Sequence, residues 1–225
     1  MIETYATSAD LAQAAAQAVI AALKSALAER GAASLVGTGG RSPAPVYDLL
    51  AQARDVDWAR VGVTLSDDRF VPISSPDSNE RLVRERLLTD AAAKAVFTPI
   101  STAAENVEAA AEKVEVGVRA LAPYDVMLLG MGEDGHVASL IPGSPVLDLG
   151  MDPAGTRFCL GIPAGVGSPP IARVTMTMPA LLQARLILVL ISGEKKKHIV
   201  EGGSGLPVHA LLDQAKAPVR ILWTP

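Results

Sequence analysis

The chain has 225 residues, 49% of them hydrophobic, and a formal net charge of −4 at pH 7. That is enough apolar surface for one substantial core, and too acidic a balance for a broad attraction to nucleic acid or anionic lipid. A lone cysteine, Cys159, excludes an internal disulfide and a cysteine-based metal cluster, and suits a reducing cytoplasm.

Residues 1–8 lack the basic start and apolar core of a signal peptide, and no uninterrupted apolar run approaches the ~18 residues of a spanning helix, so no membrane partner is expected. Helical and strand-like segments alternate along 1–225, which predicts a single-domain α/β fold: an open, mostly parallel, Rossmann-like sheet with helices on both faces. Ser8 or Asp10 can cap a first helix that carries Leu11, Val19, Leu23 and Leu27 and ends at Gly31. Residues 34–37 read as a strand, followed by Thr38-Gly39-Gly40-Arg41-Ser42 and a helix through Leu50 with Pro43 or Pro45 in its first turn. A strand over 61–66 delivers Asp67-Asp68-Arg69 into a loop marked by Pro72, Pro76 and Asp77, after which Ser78 or Asn79 can cap a helix through Leu88. A strand at 96–99 and a helix over 103–121 follow. The continuous apolar run at 125–130 marks a central strand. Beyond it, 163–170 is irregular, 173–177 extended, and a short helix ends at Leu182. Residues 185–192 form a strand, 193–200 open a helix, 202–205 look flexible, and 219–223 close the chain as a strand.

The central strand runs into Gly130-Met131-Gly132-Glu133-Asp134-Gly135-His136. Asp134 and His136 therefore sit at a strand's carboxyl end, where open α/β sheets bind ligands, and His is the side chain best placed to take and return a proton near neutrality. The plainer reading is a glycine-rich turn with a capping Asp. Backbone N–H groups at Gly39 and Gly40, with the hydroxyls of Thr38 and Ser42 and a helix start behind them, can receive a phosphate. The spacing matches neither a nucleotide P-loop nor a dinucleotide fingerprint, and a simple tight turn remains the alternative. Asp67-Asp68-Arg69 can orient sugar hydroxyls and grip a phosphate in a guanidinium fork, or form a solvated turn. Lys195-Lys196-Lys197 at a helix start is electrostatically unfavourable unless an anion joins it, and Arg173 is a further candidate anion contact. His198 and His209 have no metal-ligand spacing, and no Gly-x-Ser-x-Gly elbow is present, which leaves water activated by His and no metal site.

Leu129-Gly130-Met131-Gly132-Glu133-Asp134-Gly135-His136-Val137-Ala138-Ser139-Leu140-Ile141-Pro142-Gly143 is similar to the pattern Leu-Gly-x-Gly-x-Asp-Gly-His-x-Ala-Ser-Leu-Phe-Pro-Gly. Asp67-Asp68-Arg69-Phe70-Val71-Pro72, followed by Ser78-Asn79, resembles Asp-Glu-Arg-x-Val-Pro and a Ser-Asn pair, while Arg173-Val174-Thr175-Met176-Thr177 and Gly193-x-x-Lys196 resemble two later segments. On these motifs the chain resembles the 6-phosphogluconolactonase family, within the wider group that includes glucosamine-6-phosphate deaminase. Two positions depart from the pattern: Arg41 replaces a small hydroxyl residue, and Asp68 replaces Glu. The deaminases continue Asp-Gly-His with Ala-Phe-Asn-Glu-Pro and carry Asp-Glu-Tyr earlier, where this chain has Ala138-Ser139-Leu140 and Arg69.

The resemblance implies a sugar-phosphate isomerase-type fold and hydrolysis of 6-phospho-D-glucono-1,5-lactone to 6-phosphogluconate. It implies His136 as general base, oriented by Asp134. Gly39, Gly40, Ser42, Arg69, Lys196 and Arg173 would hold the substrate's phosphate, and Asp67 its sugar. No metal or cofactor is implied. The expected partner is the small-molecule sugar-phosphate lactone, with no nucleic acid and no membrane, in a cytoplasmic monomer or homodimer. The competing readings are a deaminating isomerase and a non-catalytic sugar-phosphate sensor, the second lacking any recognisable helix-turn-helix output segment.

Overall fold

In the computed structural model, which describes residues 2–225, strand β1 (Ile2–Thr4) leads into helix α1 (Ser8–Arg30). Thr7 caps α1, its hydroxyl accepting from the Asp10 N–H at 3.1 Å. Ser8 and Asp10 are already inside the helix, which corrects the expected cap. Gly31 ends it at φ 73°, a conformation that costs glycine little. By length and a mean hydropathy of 1.4, α1 is long and apolar enough to cross a membrane. Its Leu11, Ala15, Val19 and Leu23 are instead buried in the core.

The chain continues through β2 (Ala33–Gly37), α2 (Ala44–Ala51), β3 (Val61–Leu65), β4 (Asp67–Arg69), α3 (Asn79–Arg86) and β5 (Val96–Phe97). Next come α4 (Val107–Ala120), β6 (Val126–Gly130), α5 (Leu147–Met151), β7 (Cys159–Ile162) and β8 (Arg173–Met176). The last elements are α6 (Met178–Leu181), β9 (Ile187–Ser192), α7 (Glu194–Gly202), α8 (Pro207–Gln214) and β10 (Val219–Thr224).

Seven strands form one sheet in the order β1-β10-β9-β6-β2-β3-β5, and every pair in it is parallel. Burial along β2 and β9 does not alternate: all five residues of β2 and the first five of β9 are buried, as expected when both faces of a sheet are covered. Val126 to Leu129 in β6 are fully buried, and each such aliphatic side chain stabilises the fold by about 1.5–3 kcal/mol. The strand order reverses between β2 and β6. After β2 the chain adds β3 and β5 on one flank, while β6 pairs with the other flank of β2 and continues into β9 and β10. The loops leaving β2 and β6 therefore part company, and a crevice opens at the carboxyl ends of these strands.

A second, antiparallel sheet of order β4-β8-β7 was not foreseen. Asp67-Asp68-Arg69 belongs to it as a strand, with Asp67, Asp68 and Arg69 opposite Thr175, Val174 and Arg173. Its charged sequence has no apolar alternation because these side chains serve the cleft and a helix end. Ser66 splices the two sheets: its N–H donates to the Gly37 carbonyl at 2.8 Å and its carbonyl accepts from Met176 N–H at 2.7 Å. Several expected boundaries also shift. α4 begins at Val107 behind the Asn106 cap, so 103–106 precede it, and α3 stops at Arg86. The expected flexible stretch at 202–205 starts on the last residue of α7 and runs through most of the link to α8.

Candidate active site

β6 delivers its glycines at the crevice. Gly135 adopts φ 77°, and a Cβ there would meet Leu206 Cδ1 at 2.7 Å, so only glycine lets the chain turn between Asp134 and His136 without strain or clash. The turn is closed by Gly132 N–H donating to the His136 carbonyl at 2.9 Å, and is fastened from outside by Val208 N–H donating to the Gly135 carbonyl at 3.0 Å. Val208 lies in the first turn of α8, so an otherwise unpaired helix N–H holds the Asp134–His136 turn.

Within this turn His136 Nδ1 lies 2.6 Å from Asp134 Oδ1. Burial alone would raise the Asp134 carboxyl, but the facing imidazole and its hydrogen bonds bring it below the ordinary carboxylate value. An ionised carboxylate only accepts, which assigns the proton to Nδ1 and leaves Nε2 as the free basic nitrogen. His136 lines a cleft of about 560 Å³, a volume suited to a small phosphorylated sugar.

The same cleft is lined by Gly39, Gly40 and Ser42 from the β2–α2 loop, by Asp67 and Arg69 from β4, by Arg173 from β8 and by Lys196 from α7. Every substrate contact expected from the sequence thus converges there, and Asp134 stands behind His136. Arg41 also lines it, an exposed cation at the mouth.

The two arginines are held by neutral oxygens. Arg69 Nη1 donates to the Asp77 carbonyl at 2.7 Å and to Asn79 Oδ1 at 3.1 Å. Arg173 Nη2 donates to the Pro169 carbonyl at 2.9 Å, and its Nη1 reaches Ser139 Oγ at 3.4 Å. Each guanidinium also has a buried Nε without a partner among the described residues. Burial pushes Arg173 below the ordinary guanidinium value; nearby Asp67 opposes this and Arg69 adds to it. Burial likewise lowers Lys196, with Glu133 opposing and Arg41 contributing. Guanidiniums held this way make no direct ion pair, and an anion in the cleft would supply one.

Of the three lysines in sequence, Lys195 pairs with Glu133 at 2.7 Å and Lys197 lies over the Trp223 ring at 4.3 Å. Only Lys196 lines the cleft.

Ser139 and Asn79 had no assigned role at the cleft from sequence, whereas Asp68 was expected beside Asp67 to orient sugar hydroxyls. Ser139 Oγ donates to Asp67 Oδ2 at 2.6 Å and its N–H donates to Thr175 Oγ1 at 2.9 Å. The left-handed turn at Ala138, φ 50°, aims it there. Asn79 Nδ2 donates to the Asp67 carbonyl at 2.9 Å while its Oδ1 receives Arg69, and it fills the space where a Cβ on Gly39 would stand. Its only sequence signal was the Ser-Asn pair. Contrary to that expectation, Asp68 is not part of the cleft lining; it accepts the N–H groups of Asn79 and Glu80 at 2.6 and 2.9 Å, closing the start of α3. Its shorter side chain therefore bears on a helix end. Among the described residues no group of three His, Cys, Asp or Glu side chains is placed to hold a metal ion.

The sequence model of the family described as Glucosamine-6-phosphate isomerases/6-phosphogluconolactonase matches residues 6–223. The chain is 44% identical to a 6-phosphogluconolactonase of Caulobacter vibrioides over 99% of its own length and 96% of the relative's. It is 42% identical to one of Pseudomonas aeruginosa, covering 100% and 94%. Among solved structures, a 6-phosphogluconolactonase from Shewanella baltica superposes with a TM-score of 0.94 at 32% identity, over 100% of this chain and 97% of that one. A monomeric glucosamine-6-phosphate deaminase shares the fold, with a TM-score of 0.77 at 22% identity over 99% and 96%. The chain belongs to the glucosamine-6-phosphate isomerase/6-phosphogluconolactonase family.

Proposed function

We infer that this chain hydrolyses 6-phospho-D-glucono-1,5-lactone to 6-phosphogluconate, the second step of the oxidative pentose phosphate pathway. One observation carries the reading within the family: the Asp134–His136 pair at 2.6 Å opens on the same cleft as two guanidiniums held only by neutral oxygens. A candidate general base and a candidate anion site share one small pocket.

His136 Nε2 takes a proton from water as the water oxygen attacks the lactone carbonyl carbon. The carbonyl oxygen becomes an oxyanion. As the tetrahedral intermediate collapses, the bond from that carbon to the ring oxygen breaks, and the imidazolium returns its proton to the departing ring oxygen. One water is consumed, the ring opens to an acid, and the imidazole is regenerated. Asp134 holds the Nδ1–H tautomer throughout and stabilises the transient imidazolium. The phosphate sits against the N–H groups of Gly39 and Gly40, the Ser42 hydroxyl, Arg69, Arg173 and Lys196. Binding energy at this remote end holds the carbonyl near His136. Asp67 accepts from sugar hydroxyls. We read residues 1–225 as one domain that carries the whole site, acting in the cytoplasm as a monomer or homodimer.

The test compares consumption of the phosphorylated and unphosphorylated lactones above their spontaneous hydrolysis. The wild type is expected to prefer the phosphorylated form strongly, and Arg69→Ala to lose much of that preference through a higher KM. Ammonia release from glucosamine 6-phosphate at a comparable rate, or undiminished discrimination in Arg69→Ala, contradicts the assignment.

A further inference from the structure

Tyr47 lies outside the cleft, yet it is bonded to the first residue of the 38–42 loop that lines it. β2 ends at Gly37, which pairs with Leu65 and whose carbonyl accepts from Ser66 N–H at 2.8 Å. Thr38 is the first residue beyond the sheet, and it is buried with 5% exposure, so its backbone N–H and carbonyl need partners that no strand supplies. One atom serves both. The Tyr47 hydroxyl accepts from Thr38 N–H at 2.7 Å and donates to the Thr38 carbonyl at 2.6 Å. A phenol has one proton to give and lone pairs to receive, so the pair of bonds is chemically consistent and fully occupies its donor.

We propose that Tyr47 is a positioning residue for phosphate affinity, acting through Thr38 on the loop 38–42; this rests on the reading of that loop as the phosphate site. Tyr47 is fully buried and belongs to α2, the helix that follows the loop, with its own N–H donating to the Pro43 carbonyl at 2.9 Å. Its side chain is a crossbar closing the segment from Thr38 to the first turn of α2. Gly39 and Gly40 are thereby suspended between two fixed points. Asn79 presses on the same loop from the other side, its Oδ1 standing 2.0 Å from where a Cβ on Gly39 would be. Backbone N–H groups bind an anion tightly only when they need no reorganisation, so fixing the loop in advance preserves binding energy that a loose loop would lose. Burial raises the phenol above its ordinary value, which keeps it neutral and able to donate at working pH.

Tyr47→Phe retains the ring and its packing and deletes both bonds. The KM for the phosphorylated lactone and the inhibition constant of inorganic phosphate should each rise roughly 3- to 30-fold, with kcat within about twofold and the KM for the unphosphorylated lactone unchanged. Gly37→Ala supplies an independent perturbation, because its methyl would stand 2.7 Å from the Tyr47 hydroxyl and displace it. The same signature is expected without touching the tyrosine. A Tyr47→Phe enzyme that melts earlier but binds inorganic phosphate as the wild type does overturns the proposal. If Tyr47→Phe does not fold, unchanged phosphate inhibition in Gly37→Ala overturns it instead. Arg69→Ala separates the two levels: if it too leaves phosphate inhibition unaltered, the phosphate-site reading fails, whereas an Arg69 effect beside a Tyr47 null removes the Tyr47 inference alone.

Discussion

At the scale of single residues, the acid–base pair is set by partner chemistry. Asp134 can only accept, so its contact with Nδ1 fixes both the tautomer and the ring orientation of His136. Asp134→Asn can offer Nδ1 an N–H as readily as an oxygen, which turns the ring or reverses its tautomer. Steady-state kinetics of Asp134→Asn should show kcat down roughly 10²- to 10⁴-fold with KM nearly unchanged, as expected when the group orienting a His base is lost. A loss expressed in KM alone would place Asp134 in substrate binding. Asp134 and His136 were legible because they are two residues apart in one glycine-rich turn. Ser139, Asn79 and Tyr47 were not, since each acts through contacts that local pattern does not display. Ser139 meets Asp67 across 72 positions of sequence.

At the scale of elements, Asp68 links β4 to the start of α3. Burial pushes its carboxyl up to about 6, against the lowering effect of the N–H groups of Asn79, Glu80 and Arg69. A folded value above the unfolded one penalises the ionised form in the native state. Asp68's contribution is therefore full below about pH 4 and lost as pH rises through about 6, a change of about 3 kcal/mol at 1.36 kcal/mol per unit. Asp68→Asn cannot titrate. Its stability relative to wild type should improve by about 2 kcal/mol between pH 4.5 and 7.5 in urea denaturation, whatever the offset caused by the lost acceptor. A difference that stays flat, or runs the other way, would show that the helix N–H groups outweigh burial. The sequence showed that a helix begins near Ser78, and Ser78 does cap it. It did not show that a strand residue ten positions earlier closes the same helix end.

At the scale of the whole molecule, the site is a consequence of strand order. Loops from the carboxyl ends of β2, β6 and β9 meet where the order reverses, and β4 and β8 of the small sheet bring Asp67, Arg69 and Arg173 to the same place. The parallel core was legible because runs such as Val126 to Leu129 are continuously apolar. The small sheet was not, because β4 is charged, β7 is short, and β4 pairs with β8, a strand roughly 100 residues further along the chain. α8 was hidden behind the glycines at 202–205, whose local signal suggested only a flexible turn.

The proposed hydrolysis rests on His136 as the base that activates water in this cleft. The most direct measurement is the rate of 6-phospho-D-glucono-1,5-lactone consumption above the spontaneous background for the wild type and His136→Ala, at saturating substrate and with folding checked by melting temperature. With His136 as the base, the His136→Ala protein should be folded, with KM near that of the wild type and kcat lower by about 10²- to 10⁴-fold. A His136→Ala protein that turns over the lactone at close to the wild-type rate would contradict it.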